Sequence, residues 1–337
     1  MSITVCAYVV RPSIDLVSNF LRANLGAKAK DIVVGNSVDE FAAAKAAGGP
    51  IALIVENTAH DTLKSLCDDF DKSSDRRVKF IYSASAGVDA YRLHELKPEL
   101  KGIPFHNAQG VYSRVLAEHV AFSMLYFNRY PWRLIQLKRE KKWDRFNMTE
   151  VHGQKVAIMG YGDIGQQCGK LAAGLGMQVT GIRRRAPETP IDEYGVHVKT
   201  EAETDAVVAE ADFVVGVLPG TSTTRHYFNK DFFRKMKPSA VFINIGRGMT
   251  QHEEDVCEAL KNGTIRGAAL DVFETEPPSQ TSPLWDLPDD KLLLSAHCAG
   301  YTNRMVENSL VNFIEIFESY NTTGTSDAHR ICIDQGY

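Results

Sequence analysis

The sequence predicts an α/β protein of two domains, each built on a doubly wound parallel sheet. Three observations carry this. Apolar runs of strand length alternate with helical stretches from Ile3 to Tyr82, and the same alternation resumes from Val156 to Ser295. At the head of the second block a G-x-G-x-x-G stands between a strand and a helix, at Gly160-Tyr161-Gly162-Asp163-Ile164-Gly165. The 337 residues suffice for two cores of ordinary size.

Taken in order, Ile3 to Val10 reads as a strand and Ser13 to Leu25 as a helix capped by Ser13. Asp31 to Val34, Ser37 to Ala47, Ile51 to Val55, Asp61 to Asp71 and Val78 to Tyr82 continue the alternation, which argues a parallel sheet with helical crossovers. The small-residue loop from Ser83 to Asp89 follows. It contains Ala86 and Gly87, whose backbone N–H groups are open to a ligand, unless the segment is an ordinary loop. The cluster GIPFHNAQG at 102–110 marks a domain boundary. A long helix starts at Ser113 with Leu116, Val120, Met124 and Phe127 on one stripe, and a second continues past Pro131. Trp132 to Phe146 mixes basic and aromatic residues, but the interleaved Glu140 and Asp144 favour a solvated face or subunit contact over nucleic acid.

In the second block, Val156 to Met159 is a strand, Gln166 to Gly176 a helix with Leu171 and Leu175 on one face, and Gln178 to Ile182 a strand. Phe213 to Leu218 runs into Pro219, and Ala240 to Ile245 runs into Gly246-Arg247-Gly248. Glu254 to Asn262 is a helix, Gly267 to Val272 a strand carrying Asp271, and Lys291 to Ser295 a last strand before His297. The polar residues that stand out thus lie at carboxyl ends of strands, where doubly wound sheets hold ligands. Thr302 to Asn321 is an amphipathic helix, and Arg330 to Tyr337 an extended piece.

Composition narrows the function. Thirty-eight basic against 42 acidic side chains give a net charge of −4, with no electrostatic footprint for nucleic acid or an anionic membrane, so the expected partners are small molecules. Six scattered cysteines without C-x-x-C spacing predict neither a metal site nor disulfides, and fit a cytoplasmic protein. Met1 runs straight into ITVCAYVV without a basic leader, and no apolar run reaches membrane-spanning length.

The chemistry follows from residue types. In the glycine motif the first glycine allows a tight turn, the second a close backbone approach to a pyrophosphate, and the third close helix packing. An NAD site usually continues, about 20 residues on, with an acid for the ribose hydroxyls. Here stand Arg183, Arg184 and Arg185, which suit a 2′-phosphate and therefore NADP rather than NAD; the competing reading is a solvated basic loop end. His297 can exchange a proton with an alcohol or ketone oxygen, Glu276 beside it can hold it protonated, and Arg247 can grip a carboxylate. Asp271 can orient a neighbour or buttress the site.

These pieces resemble the D-isomer-specific 2-hydroxyacid dehydrogenases. The matching segments are LAEHV from Leu116, GYGDIG, VLPGTSTTR from Val217, INIGRG from Ile243, GAALDVFETEP from Gly267, SPLW from Ser282 and HCAG from His297. The resemblance implies a Rossmann coenzyme domain at 107–299 inserted into a flavodoxin-like substrate domain of residues 1–106 and 300–337. It implies a homodimer with much of its contact in the Ser113 to Trp143 region. Carried over by position, Arg247 binds the substrate carboxylate and reacting carbonyl, His297 is the acid/base and Glu276 its partner, while Ala86 and Gly87 complete the carboxylate grip. Leu218, Pro219, Ile245 and Gly300 lie near the coenzyme, with Asp271 near its nicotinamide. Two departures stand out: Ala296 where the family commonly has Pro, and Gln251-His252-Glu253 where it has Val-Asp-Glu. With arginines in place of the ribose-binding acid, the chain is similar to the glyoxylate and hydroxypyruvate reductases. The implied reaction is reduction of a small 2-oxo acid by NADPH; the alternative is a coenzyme-sensing corepressor of the same fold.

Overall fold

Within the two sheets of this chain every strand pair is parallel, as repeated strand-helix alternation requires. The structure is a computed structural model and describes residues 2–56, 58–70 and 76–333. It divides into two units, Met1–Tyr112 with Thr302–Tyr337, and Ser113–Tyr301. The first comprises β1 (Ile3–Tyr8), α1 (Ile14–Leu25), β2 (Ala29–Gly35), α2 (Ala42–Ala47), β3 (Ile51–Val55), α3 (His60–Phe70), β4 (Val78–Ser83), α4 (Lys97–Leu100) and β5 (Phe105–His106). The second comprises α5 (Ser113–Arg129), α6 (Pro131–Arg139), β6 (Lys155–Met159), α7 (Asp163–Gly174), β7 (Gln178–Arg183), β8 (His197–Thr200), α8 (Thr204–Glu210), β9 (Phe213–Gly216), α9 (Lys230–Phe233), β10 (Val241–Asn244), α10 (Glu253–Lys261), β11 (Gly267–Leu270) and β12 (Leu292–Leu294). The chain then returns to the first unit with α11 (Met305–Thr323).

The first sheet has the order β2-β1-β3-β4-β5, the flavodoxin-like arrangement. Its central strand IALIV is buried at every position, because helices cover both faces. Alternate residues serve two cores: Leu53, Ile81 and Phe105 pack with Leu63, Leu66 and Phe70 of α3, while Val5, Phe80 and Tyr82 pack with Val17 and Leu21 of α1 and Phe313, Ile316 and Phe317 of α11. The division falls after Tyr112 rather than after residue 106. Ala108 is fully buried in this core, and the Tyr112 hydroxyl donates to Ala84 O at 2.7 Å, so 107–112 stays with the first unit.

The second sheet runs β12-β11-β10-β9-β6-β7-β8, so its order reverses between β9 and β6. That reversal is the switch point where a doubly wound sheet opens a crevice beyond its carboxyl ends. Val120, Met124 and Phe127 of α5 join β6, α7 and β9 in one core, and Phe228, Phe233 and Phe242 anchor the other face.

Several local expectations shift. Ser13 does not cap α1: a 3-10 turn over Arg11–Ser13 leaves it helical, and its hydroxyl turns to Glu56. Helix α7 begins at Asp163, inside the glycine motif, not at Gln166. Strand β8 and helix α8 lack a matching sequence expectation, β8 being four residues after an irregular stretch. Arg330 forms a bridge to His106, while 334–337 of the expected closing extended piece, like Asp71 at the expected end of α3, lies outside the described residues.

Candidate active site

The glycine turn is closed where it meets the sheet and open where a phosphate would approach. Gly160 has φ 101°, and a Cβ there would lie 2.5 Å from the carbonyl oxygen of Val217, which follows β9. A Cβ on Gly165 would lie 2.3 Å from Gly160 O, so only glycine lets the first turn of α7 lie on the loop. At Gly162, the N-cap of α7, a Cβ would meet nothing within 4 Å, and no side chain caps the helix. An uncapped N-terminus beside open space fits a coenzyme pyrophosphate.

The other residues of the motif face elsewhere. The Tyr161 ring is buried against Gly181, and its hydroxyl donates to Asp192 Oδ2 at 2.5 Å, so only its main chain belongs to the turn. Asp163 accepts a hydrogen bond from Ser113, and Ile164 is half-buried. Arg183 is the last residue of β7, and both it and Arg184 are exposed beyond the strand's carboxyl end. Asp192 further on is occupied by Tyr161 and by the N–H groups of Tyr194 and Val196, both at 2.9 Å.

Three adjacent strands deliver the acid-base residues. Arg247 follows β10, Asp271 and Glu276 follow β11, and His297 follows β12. His297 Nδ1 and Glu276 Oε2 are 2.7 Å apart, and Glu276 Oε1 accepts the Phe273 N–H at 3.0 Å. The hydrogen bond to Glu276 raises the His297 pKa above the ordinary imidazole value, against the opposing pull of burial. For Glu276, burial works against the charge, yet the bonds from His297 and Phe273 and the cations of His297 and Arg247 hold its pKa below the usual carboxylate range. The arrangement keeps a proton on the imidazole to higher pH. Both side chains are open to solvent within this unit.

His297 adopts φ 50°, a left-handed conformation a non-glycine residue takes at a cost of roughly 1–3 kcal/mol. Asp271 holds it there. This carboxylate is 2% exposed and accepts from Ser295 Oγ at 2.7 Å, Cys298 N at 2.9 Å and Ala299 N at 3.1 Å, while His297 N donates to Asp271 O at 2.8 Å. Its side chain thereby ties together the loop that carries His297. Leu218 is half-buried and Pro219 exposed after β9, Ile245 is buried after β10, and Gly300 is half-buried beyond the histidine loop. Ala86 and Gly87 lie in the first unit after β4, where the Ala86 carbonyl accepts from Asn107 Nδ2 at 2.7 Å.

Sequence reasoning missed a buried amide pair. Asn244 donates to Gln251 Oε1 at 2.9 Å and accepts Gly246 N at 3.0 Å, and Gln251 Nε2 donates to Val272 O at 3.0 Å. Both are fully buried, and together they set the Arg247 turn against the end of β11. The available signal was an asparagine closing the otherwise apolar strand VFIN. Among the described residues no helix is long and apolar enough to cross a membrane, and no group of His, Cys, Asp and Glu is arranged to hold a metal ion.

Comparisons with known proteins point to one family. The sequence model of the D-isomer specific 2-hydroxyacid dehydrogenase NAD binding domain matches residues 122–299. A hydroxypyruvate reductase of Thermotoga maritima is 30% identical over 67% of this chain and 72% of its own length. A glyoxylate/hydroxypyruvate reductase B of Pectobacterium carotovorum is 33% identical over 63% of this chain and 67% of its own. Among solved structures, an NADPH-dependent glyoxylate/hydroxypyruvate reductase from Sinorhizobium meliloti, in complex with NADP and sulfate, aligns over 100% of both chains with a TM-score of 0.80 and 27% identity.

Proposed function

The chain belongs to the D-isomer specific 2-hydroxyacid dehydrogenase family, and we propose that it reduces a small 2-oxo acid of the glyoxylate or hydroxypyruvate class to the D-2-hydroxy acid with NADPH. It is an oxidoreductase acting on the CH–OH group of 2-hydroxy acids. The observation that carries the finer reading is the 2.7 Å pairing of His297 with Glu276 beside the Arg247 cation. When bound, the coenzyme supplies hydride to the carbonyl carbon. Arg247 grips the substrate carboxylate and polarises the carbonyl oxygen. Nε2 of His297, the nitrogen not bonded to Glu276, donates the proton that oxygen takes up, and Glu276 stabilises the imidazolium beforehand. A kinetic screen of glyoxylate, hydroxypyruvate, pyruvate and branched 2-oxo acids with both coenzymes tests this. The first two are expected to turn over best; no turnover on any of them would return the chain to the coenzyme-sensing alternative.

The coenzyme choice rests on Arg183 and Arg184, together with the engagement of Asp192 by other groups. A guanidinium binds a 2′-phosphate through charge-assisted bonds, which solvent screening at two exposed side chains holds to about 1.5–3 kcal/mol for the pair. Replacing both arginines with alanine is expected to raise the KM for NADPH about ten- to a hundredfold and leave that for NADH nearly unchanged. A wild-type preference for NADH would sink this part of the proposal.

The assembly we propose is a homodimer through α5 and α6. Phe122 is 51% exposed, Ile135 50% and Trp143 90%, with Leu125 and Leu134 also exposed, more apolar surface than an isolated helical face leaves to water. Sedimentation should give twice the chain mass, and Phe122→Glu with Ile135→Glu should give the monomer. A monomeric wild type would remove the dimer from the proposal.

A further inference from the structure

We propose that Glu274 is a positioning residue for Glu276: bridging the His226 imidazole and the start of α10, it fixes the loop that presents Glu276 to His297. The inference deepens the reading above, since Glu276 and His297 are that reading's acid-base pair.

Three segments meet here from the carboxyl ends of β9, β10 and β11. Glu274 Oε1 bonds His226 Nε2, and Glu274 Oε2 accepts the backbone N–H of Glu253, the first residue of α10, at 3.2 Å. The Glu253 carboxylate returns the contact by accepting Glu274 N at 2.5 Å. Consecutive N–H groups in this loop are therefore claimed by two carboxylates, Phe273 N by Glu276 and Glu274 N by Glu253. The loop is also pressed onto the Arg247 turn, since a Cβ on Gly248 would lie 1.9 Å from the Phe273 carbonyl oxygen. His226, at φ 50°, is held by its N–H to Met249 O at 2.9 Å, and its ring meets that of His252 edge-on at 4.7 Å. Such a clasp defines where the Glu276 carboxylate stands, and the bond to His297 depends on that place.

The titratable and charged groups around the pair are Arg247 after β10, Asp271 after β11, His119 on α5 beside Ser295, Glu253 and Asp255 on α10, His226 and His252 beside them, and Glu274 in the loop itself. Burial raises the Glu253 pKa most, the bond from the Glu274 N–H works against it, and the repulsion of Glu274 and Glu276 adds to the rise. Three carboxylates so close are stable together because His226 and the backbone donors engage Glu274. Without the Glu274 side chain the loop keeps only the bond of its backbone N–H to Glu253 and loses its ties to His226 and to the N–H that opens α10, so the Glu276 carboxylate is held less firmly against the imidazolium.

The test is an NMR titration of the His297 ring in the full-length protein, with the pH profile of turnover beside it. Glu276→Gln sets the scale by removing the charge itself. Glu274→Ala is expected to lower the His297 pKa by part of that displacement and to reduce kcat roughly ten- to a hundredfold with the coenzyme KM unchanged. His226→Gln, which leaves 273–276 untouched, is expected to act in the same direction, and it carries the test if Glu274→Ala does not fold. If Glu276→Gln moves the titration while both other variants, folded, titrate as wild type does, the role of Glu274 is overturned and the acid-base pair stands. If Glu276→Gln leaves His297 unmoved, the pair fails and this inference falls with it.

Discussion

His297→Ala is expected to lower reductive turnover by at least about a hundredfold, the lower bound for a lost general acid, while the coenzyme still binds. The separation of the two effects follows from where the residue stands. The glycine turn lies at the ends of β6 and β9, whereas His297 follows β12 at the far edge of the sheet. The loop's shape depends little on the imidazole, because Asp271 holds it through Ser295, Cys298 N and Ala299 N. What the alanine removes is the ring whose Nδ1 meets Glu276 at 2.7 Å. The sign of the pH dependence is fixed by the raised histidine pKa: the acid form is present below it and is lost as pH rises through it. Wild-type reduction should therefore fall on a basic limb displaced above the ordinary imidazole value, and that limb should vanish from the residual activity of the alanine variant. His297→Gly is the control for backbone strain, since glycine adopts φ 50° without penalty. Steady-state kinetics across pH, with coenzyme affinity from nicotinamide fluorescence, decide it; turnover within a few-fold of wild type would remove His297 from the chemistry.

Much of this was legible in the residues because the relevant signals are local. Apolar runs such as IALIV and KVAIM declare buried parallel strands, and GYGDIG declares a strand-to-helix turn that only glycine can close. Arg247, Glu276 and His297 could be placed at one end of a sheet because each follows a strand. What stayed hidden is pairing over long separations. Nothing in the spelling of the chain ties His226 to Glu274, or Asn244 and Gln251 to the end of β11, since those contacts exist only after the strands take their order. Tyr161 and Asp271 teach the same lesson differently. Both sit in segments with coenzyme-site patterns; one side chain turns into the core to meet Asp192, and the other accepts bonds from the His297 loop, directions the pattern does not spell out. Pattern assigns a residue to a neighbourhood; the direction of its side chain depends on what already fills the space.

Arg247→Ala should have the second large effect, a loss of about thirty- to several-thousandfold in kcat/KM for the 2-oxo acid. Removing one partner of a close ionic hydrogen-bonded pair costs about 2–5 kcal/mol, and each 1.4 kcal/mol is about tenfold. The turn is rigid before substrate arrives: Asn244 holds Gly246 N at 3.0 Å, the arginine backbone is extended at φ −138°, and Nη1 donates to Gly246 O at 2.8 Å. Arg247→Lys should therefore recover little, because an ammonium cannot reproduce the planar fork that meets a carboxylate with two parallel bonds. The pH profile separates this loss from damage to the acid-base pair. The Arg247 cation lowers the pKa of Glu276 and also that of His297. Its removal leaves Glu276 ionised across the range in which the histidine titrates and lifts a direct repulsion on the imidazolium. The basic limb should therefore move toward higher pH while kcat/KM collapses, the reverse of the displacement expected when Glu276 itself is lost. A variant whose KM for the 2-oxo acid stays within about threefold of wild type would instead place the carboxylate elsewhere, because a lost charge-assisted bond alone is worth about 1.5–3 kcal/mol.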